Sequence, residues 1–322
     1  LGFDGHEFVD RKDWSLRINK GREMLRTFKE LEERVKSKSK PTIAVAMAGD
    51  IDVLTALEKA RSTGLTKAIL TGDRNKIISV LRKSGADDKN YDIIPTKGEQ
   101  QAIEKAVSLV RHGEAQVLMK GLCSTAGFLK GILDKQNGLR SDKIISHLAL
   151  FESPHYHKLF MMSDAAMNIA PDLSGKVNIL ENALAAARRL GYKKPKVAII
   201  SALEKVNAEG IPSSADAAII AKMGDRGQIR DAIIDGPLAV DNALSYQSCK
   251  VKGLKTAVGG DADICIVPNI ETGNVFYKLL TIMGKAKVAG IIVGAIAPIV
   301  LTSRSDSEES KFLSILTALT AS

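Results

Sequence analysis

Between Pro41 and Leu301 the chain alternates between short apolar runs and amphipathic stretches, and this rhythm restricts the fold more than any other feature. "TIAVAMAGD" is followed by the helical pattern "VLTALEKARSTG", and "KAILTGD" by "RNKIISVLRKSG". "YDIIPT", "EQQAIEKAVSLVRHG", "AQVLMKG" and "TAGFLKGILDKQNG" continue the series. The apolar runs lack the strict alternation of a half-exposed strand, so each is buried on both faces. Buried strands followed by amphipathic helices predict a parallel sheet covered on both sides.

The rhythm breaks once. From Lys143, "KIISHLALFESP" and "KLFMMSDAAM" are apolar runs joined by a short polar link, which predicts an antiparallel hairpin. The alternation then resumes through "NILENALAAARRLG", "KVAIISA", "SADAAIIAKMG", "DAIIDG", "DADICIVP" and "GNVFYKLLTIMGKAK". "GIIVGA" and "IVLTS" predict two last strands, and "EESKFLSILTAL" a closing helix. At the other end, "GREMLRTFKELEERVKSKSK" predicts a charged helix with Leu25, Phe28, Leu31 and Val35 on one face, ended by Pro41. The expected fold is α/β in two parallel-sheet domains: residues 1–149 with 290–322, and an inserted unit of 150–289.

Three cysteines, Cys123, Cys249 and Cys265, are an odd number at wide spacing, which fits neither a disulfide framework nor a zinc site. A reducing, cytoplasmic setting is expected. "VAGIIVGAIAPIVL" is interrupted by glycine and proline and is too short to span a membrane, and no apolar leader opens the sequence. The net charge of +9 suits a nucleic-acid binder or an enzyme of polyanionic substrates. Aromatic residues at only 4% leave few platforms for stacking bases, so small anions are favoured. "SPHYHKLF" contains His-x-His, but no cysteine or carboxylate beside it completes a metal set, and no metal is expected.

In open parallel sheets ligands bind beyond the carboxyl ends of the strands, so the strand-to-helix corners hold the candidates. In "PIVLTSRSDSEESK" a buried strand runs into Ser303 and Arg304, and Ser305 with Glu308 reads as a capping box opening the last helix. Capping explains Ser305, Asp306 and Glu309 but not Arg304. An arginine beside free helix N–H groups makes a phosphate clamp, with Ser303 as a further donor. A second corner, "VLMKGLCSTAGFLKG", places Lys120 at a strand end and Ser124 and Thr125 at a helix start, with Lys130 beyond. Those hydroxyls are helix caps or, with the lysines, phosphate ligands. Neither a Walker A loop nor a Gly-x-Gly-x-x-Gly fingerprint is present. Asp235-Gly236-Pro237 reads as a turn after a buried strand, and Asn274 and Lys278 lie at the head of a helix. Cys123 is a candidate nucleophile without a visible histidine partner.

Several stretches together resemble the phosphate acyltransferases, and the butyryl branch more than the acetyl branch. They are "LMKG…ST…FLKGILDK", "ISHLALFESPHYHKLFMMSDAAMNIAPDL", "PKVAIISALEKVN", "RGQIRDAIIDGPLAVDNA", "DADICIVPNIETGNVFYKLL" and the Ser303-Arg304 corner, spanning roughly residues 40–320. The resemblance implies a subunit related to the isocitrate and isopropylmalate dehydrogenase fold, with its active site between two domains. It implies an assembly of at least two copies. The implied reaction exchanges an acyl group between coenzyme A and inorganic phosphate, with coenzyme A as substrate and no prosthetic group, nucleic acid or membrane involved. By the same resemblance Ser303 and Arg304 hold the phosphate. The carboxylate used as base in the acetyl branch falls near Ser310 here, leaving Asp306, Glu308 or Glu309 to replace it. An arginine of that branch corresponds to Lys130, which keeps the charge but loses the bidentate fork. Lys120, Ser124, Thr125, Asp235, Asn274 and Lys278 are the expected substrate contacts. The rival readings are a hydroxy-acid dehydrogenase, for which metal-binding aspartates and a nucleotide loop are lacking, and an inactive anion- or nucleic-acid-binding protein.

Overall fold

The computed structural model describes residues 24–36, 40–302 and 306–322. The elements run α1 (Phe28–Lys36), β1 (Thr42–Ala46), α2 (Ile51–Ser62), β2 (Lys67–Gly72), α3 (Arg74–Lys83), β3 (Asp92–Pro95), α4 (Gly98–Arg111), β4 (Val117–Lys120) and α5 (Thr125–Ile132). There follow β5 (Ser146–Glu152), β6 (Phe160–Ser163), α6 (Leu173–Arg189), β7 (Lys196–Ile200), α7 (Pro212–Asp225), β8 (Ile233–Leu238), α8 (Val240–Leu244) and α9 (Tyr246–Val251). The chain ends with β9 (Ile264–Ile266), α10 (Ile270–Lys278), β10 (Lys287–Val293), β11 (Ile299–Val300) and α11 (Glu308–Ala321).

Among the described residues the strands form one sheet in the order β3-β2-β1-β4-β11-β10-β5-β6-β9-β7-β8. The first five are mutually parallel, and so are the last four. Between the two blocks lie β10 and β5, joined antiparallel to each other and to the strands that flank them. The predicted hairpin is thus the β5–β6 pair. Residues 149/150 and 289/290, the expected domain junctions, fall within β5 and β10, which are neighbours in the sheet.

The central register fixes where the blocks end. Ile299 pairs Ile292, so Val300 comes level with Ile291, which pairs Leu148. Met162 pairs Ala149, so Ser163 also comes level with Leu148. The last residues of β11 and β6 therefore meet at one height across the β10–β5 pair. The block directions are opposed, so the chain leaves Val300 toward one edge of the sheet and Ser163 toward the other.

Three expectations change in detail. Residues 24–27 are not helical, and α1 begins at Phe28. The Thr27 hydroxyl accepts the Glu30 N–H at 3.3 Å, while the Glu30 carboxylate accepts the Arg26 N–H at 2.8 Å. This reciprocal cap starts the helix later than its apolar spacing suggests. The α1 face of Phe28, Leu31 and Val35, with Leu25 ahead of it, is buried as expected. The last helix is capped by Ser307, whose hydroxyl accepts the Ser310 N–H, and Glu308 is its first residue, while Ser305 lies outside the described residues. Asp235-Gly236-Pro237 lies inside β8, not in a turn. Strand β8 is an edge, where a proline costs no ladder hydrogen bond, and the pairing with β7 shifts register between Ala198 and Ile200.

At the amino ends of β6, β7 and β9 lies a buried ionic knot. Lys158, 1% exposed, reaches Asp261 at 2.7 Å and Asp263 at 2.6 Å, while Lys196 reaches Asp261 at 2.7 Å and His157 meets it at 3.0 Å. Burial pushes the Asp261 carboxyl up, but His157, Lys158 and Lys196 outweigh it and hold it far below the usual carboxylate range. A depressed carboxylate stabilises the fold fully above its unfolded pKa of about 4 and loses that contribution as pH falls. Replacing Lys158 by Met should cost about 3–5 kcal/mol at pH 7 in urea denaturation, because Asp263 keeps a buried charge without its counter-ion. The variant should also lose less stability than the parent between pH 4 and lower values.

Candidate active site

Strand β4 ends on Lys120, and the chain turns at once into the loop before α5. Lys120 is 7% exposed, and among the described residues its ammonium finds only the Gly121 carbonyl, at 3.3 Å. Among the described residues no carboxylate lies within ion-pair distance of it. A small cleft at this corner is lined by Asp50, Val53, Lys120, Gly121, Leu122, Thr302 and Lys311. It sits at the carboxyl ends of the first parallel block, as the fold rule requires.

Lys311 belongs to this corner although sequence reading passed over it. It is 2% exposed, donates to the Asp306 carbonyl at 2.6 Å and lies 3.5 Å from Asp52. Residues Lys311 to Ala321 are all buried, so α11 is enclosed on every side and its lysine is turned toward the cleft, not toward water. In the sequence Lys311 looks like an ordinary surface charge in the first turn. Only the run of ten apolar or small residues after it hints at an enclosed helix.

The sequence-derived candidates separate into groups. Ser303 and Arg304 lie outside the described residues. Asp306 is half-buried at the approach to α11, next to Lys311 and within electrostatic reach of His147 and Tyr277. Glu309 points instead to Lys287, in an exposed ion pair of 2.7 Å. Ser124 caps α5, accepting the Gly127 N–H at 3.1 Å and donating to Glu99 at 2.5 Å, so its hydroxyl is already occupied. Thr125 and Lys130 are exposed on the same helix. Asn274 and Lys278 are exposed on α10, the helix that carries Tyr277 toward the sheet. Asp235 stands on β8, seven strands from β4, roughly 33 Å at ordinary strand spacing. The structure thus gathers Lys120, Lys311 and Asp306, and leaves Asp235 far from them.

On the facing side the chain leaves β6 through Asp164. This carboxylate is 2% exposed and accepts the N–H groups of Ala166, Met167 and Asn168 and the Asn168 side-chain amide at 2.6 Å. Helix α10 rests on it, since a Cβ at Gly273 would lie 2.5 Å from the Asp164 carbonyl. No group of three or more His, Cys, Asp or Glu among the described residues is arranged to hold a metal ion. None of the described helices is long and apolar enough to cross a membrane.

The family model described as "Phosphate acetyl/butaryl transferase" matches residues 96–321. The chain belongs to that family. It is 46% identical over 299 residues to a phosphate butyryltransferase of Clostridium acetobutylicum, covering 92% of this chain and 99% of the relative. It is 40% identical over 285 residues to a phosphate acetyltransferase of Thermotoga maritima, covering 88% and 96%. A crystal structure of a branched-chain phosphotransacylase from Enterococcus faecalis superposes with a TM-score of 0.78 at 36% identity, over 87% of this chain and 98% of that one.

Within this acetyl/butyryl transferase chain, Cys123 is a poor nucleophile. It is 1% exposed, its Sγ lies 3.9 Å from the Ala46 carbonyl, and burial raises its thiol pKa despite the charge of Lys120. Cys123→Ala should therefore keep acyl-transfer turnover within about threefold of the parent, whereas removing a true nucleophile costs about 10⁴-fold or more. Burst kinetics would show no covalent acyl-enzyme in either protein.

Proposed function

We propose that the protein is a phosphate butyryltransferase, exchanging a short-chain acyl group reversibly between coenzyme A and inorganic phosphate. The observation that carries this reading is the 46% identity to a butyryltransferase across nearly the full length of both chains. The corner geometry agrees with it. A buried lysine without a carboxylate partner, a second buried lysine beside it and the start of α11 make a setting for a polyanion. The net charge of +9 suits coenzyme A as substrate.

In this reading residues 1–149 with 290–322 form one lobe and 150–289 the other, as in the isocitrate and isopropylmalate dehydrogenase architecture, with the site in the cleft between them. The exposed apolar row of Val275, Leu279, Ile282 and Met283 supports an assembly of two or more copies. Three free, buried cysteines support a cytoplasmic setting. Ser303 and Arg304 hold the transferring phosphate, with Lys120 behind it, and Asn274, Lys278 and Lys130 contact coenzyme A as it spans the cleft. Thiolate attacks the acyl phosphate carbonyl directly in a ternary complex. Ser303 supports the developing oxyanion, and Arg304 compensates the departing phosphate.

The 40% identity to an acetyltransferase makes that activity the second reading. Both are tested by phosphate-dependent thiol release from acyl-CoAs of two to five carbons. Turnover should peak at four or five carbons and fall at least about 100-fold in Arg304→Ala, the loss expected when a transition-state charge partner goes. A peak at two carbons assigns the acetyl reaction instead. No phosphate-dependent release with any acyl-CoA rejects both.

A further inference from the structure

Lys120 and Leu122 stand two residues apart on the corner that leaves β4, and both line the cleft, but the lysine is buried while Leu122 keeps 49% of its surface exposed. The backbone of this corner is fixed against the end of β1. The Gly121 N–H donates to the Ala46 carbonyl at 2.9 Å, and the Leu122 N–H to the Met47 carbonyl at 2.7 Å. A Cβ at Gly121 would lie 2.7 Å from the Ala46 carbonyl oxygen, so only glycine lets the two segments approach this closely. The Leu122 side chain passes over Gly49, where an added Cβ would meet its Cδ2 at an ordinary contact distance of 3.8 Å. The corner is rigid, and its leucine is uncrowded.

The rest of the cleft lining is polar or closed. Asp50 caps α2 by accepting the Val53 N–H at 3.1 Å, and Val53 itself is 3% exposed. Lys120 and Lys311 bring ammonium groups and Thr302 a hydroxyl. Among the described lining residues, Leu122 is the one whose apolar side chain is open to a ligand. Ile51, 43% exposed, follows Asp50 directly and extends the apolar surface beside the cleft. Single exposed leucines are ordinary on a protein surface, but this one shares a cleft with two buried cations. A small anion with an apolar tail matches such a lining. The Cα atoms of Lys120 and Leu122 are at most about 7.6 Å apart, so one short ligand reaches both.

We propose that Leu122 is a specificity-determining residue for the transferred acyl group, the carbon chain beyond the carbonyl lying along its side chain while the phosphate occupies the Lys120 corner. This rests on the transferase reading above. A two-carbon group ends at the methyl beside the carbonyl and gains little from the leucine. Each further methylene adds apolar contact. The side chain is half-exposed, so the wall is open on one side, and truncating it removes contact instead of opening a closed pocket. Leu122 therefore acts on the choice between chain lengths and not on the rate common to all of them.

The test is the ratio of kcat/KM for butyryl-CoA to that for acetyl-CoA, measured by phosphate-dependent thiol release in the parent, Leu122→Ala and Leu122→Asn. Burial of one methylene is worth about fourfold, so two predict a ratio about 15-fold lower in Leu122→Ala, with acetyl-CoA turnover within about threefold of the parent. Leu122→Asn keeps much of the leucine shape without its apolar character and should lower the ratio as far, which a purely steric role would not do. Replacement at a half-exposed position is ordinarily tolerated, so both variants should melt as the parent does. A ratio that does not fall, whether both acyl-CoAs lose equally or neither does, overturns the assignment. If the parent releases no thiol with any acyl-CoA, the transferase reading has failed instead.

Discussion

The seven-residue antiparallel ladder between β5 and β10 holds together everything that meets at the candidate site. Both strands are buried along nearly their whole length, and each gives one face to a cluster spanning the sheet. Two parallel blocks of opposite direction share one sheet here, so the sense of the strands reverses between them. The ladder supplies that reversal, and its register brings the ends of β11 and β6 to one height. A one-residue slip would turn every inward side chain of β10 outward and separate those ends. The site is thus placed by backbone pairing and by apolar burial, before any polar residue is considered.

Charge is distributed unequally between strand ends. At the amino ends of β6, β7 and β9 each buried charge has a counter-ion at 3.0 Å or less, as Lys158, Lys196, Asp261 and Asp263 show. At the carboxyl end of β4, Lys120 is buried with only a carbonyl for company, and Lys311 is held by a carbonyl and a distant Asp52. Compensated charge at one end makes structure. Under-compensated positive charge at the other end makes a place for an anion, since the ligand supplies what the fold withholds.

Most of the architecture was legible because it follows from local periodicity. Continuous apolar runs gave parallel strands, and the short polar link at His155-Tyr156-His157 gave the hairpin. Lys120 was legible as the last residue of a buried strand. The failures have two causes, competition from partners distant in sequence and competition from a neighbouring residue. Asp235-Gly236-Pro237 has turn chemistry, but Ala198 and its neighbours on β7 recruit it as an edge strand. Ser305 and Glu308 have capping spacing, but Ser307 takes the cap.

The start of α11 ties the cleft corner to the centre of the sheet. Lys311 ties the Asp306 carbonyl to the corner that holds Lys120, and the Ser314 hydroxyl accepts the Gly290 N–H at 2.9 Å while donating to Ser310. The helix that frames the anion corner is therefore pinned to Gly290 of β10. Strand β11 stops at Val300, so the upper edge of β10 is left for this helix to satisfy. The height at which α11 stands over the candidate site is therefore set by this single junction with β10.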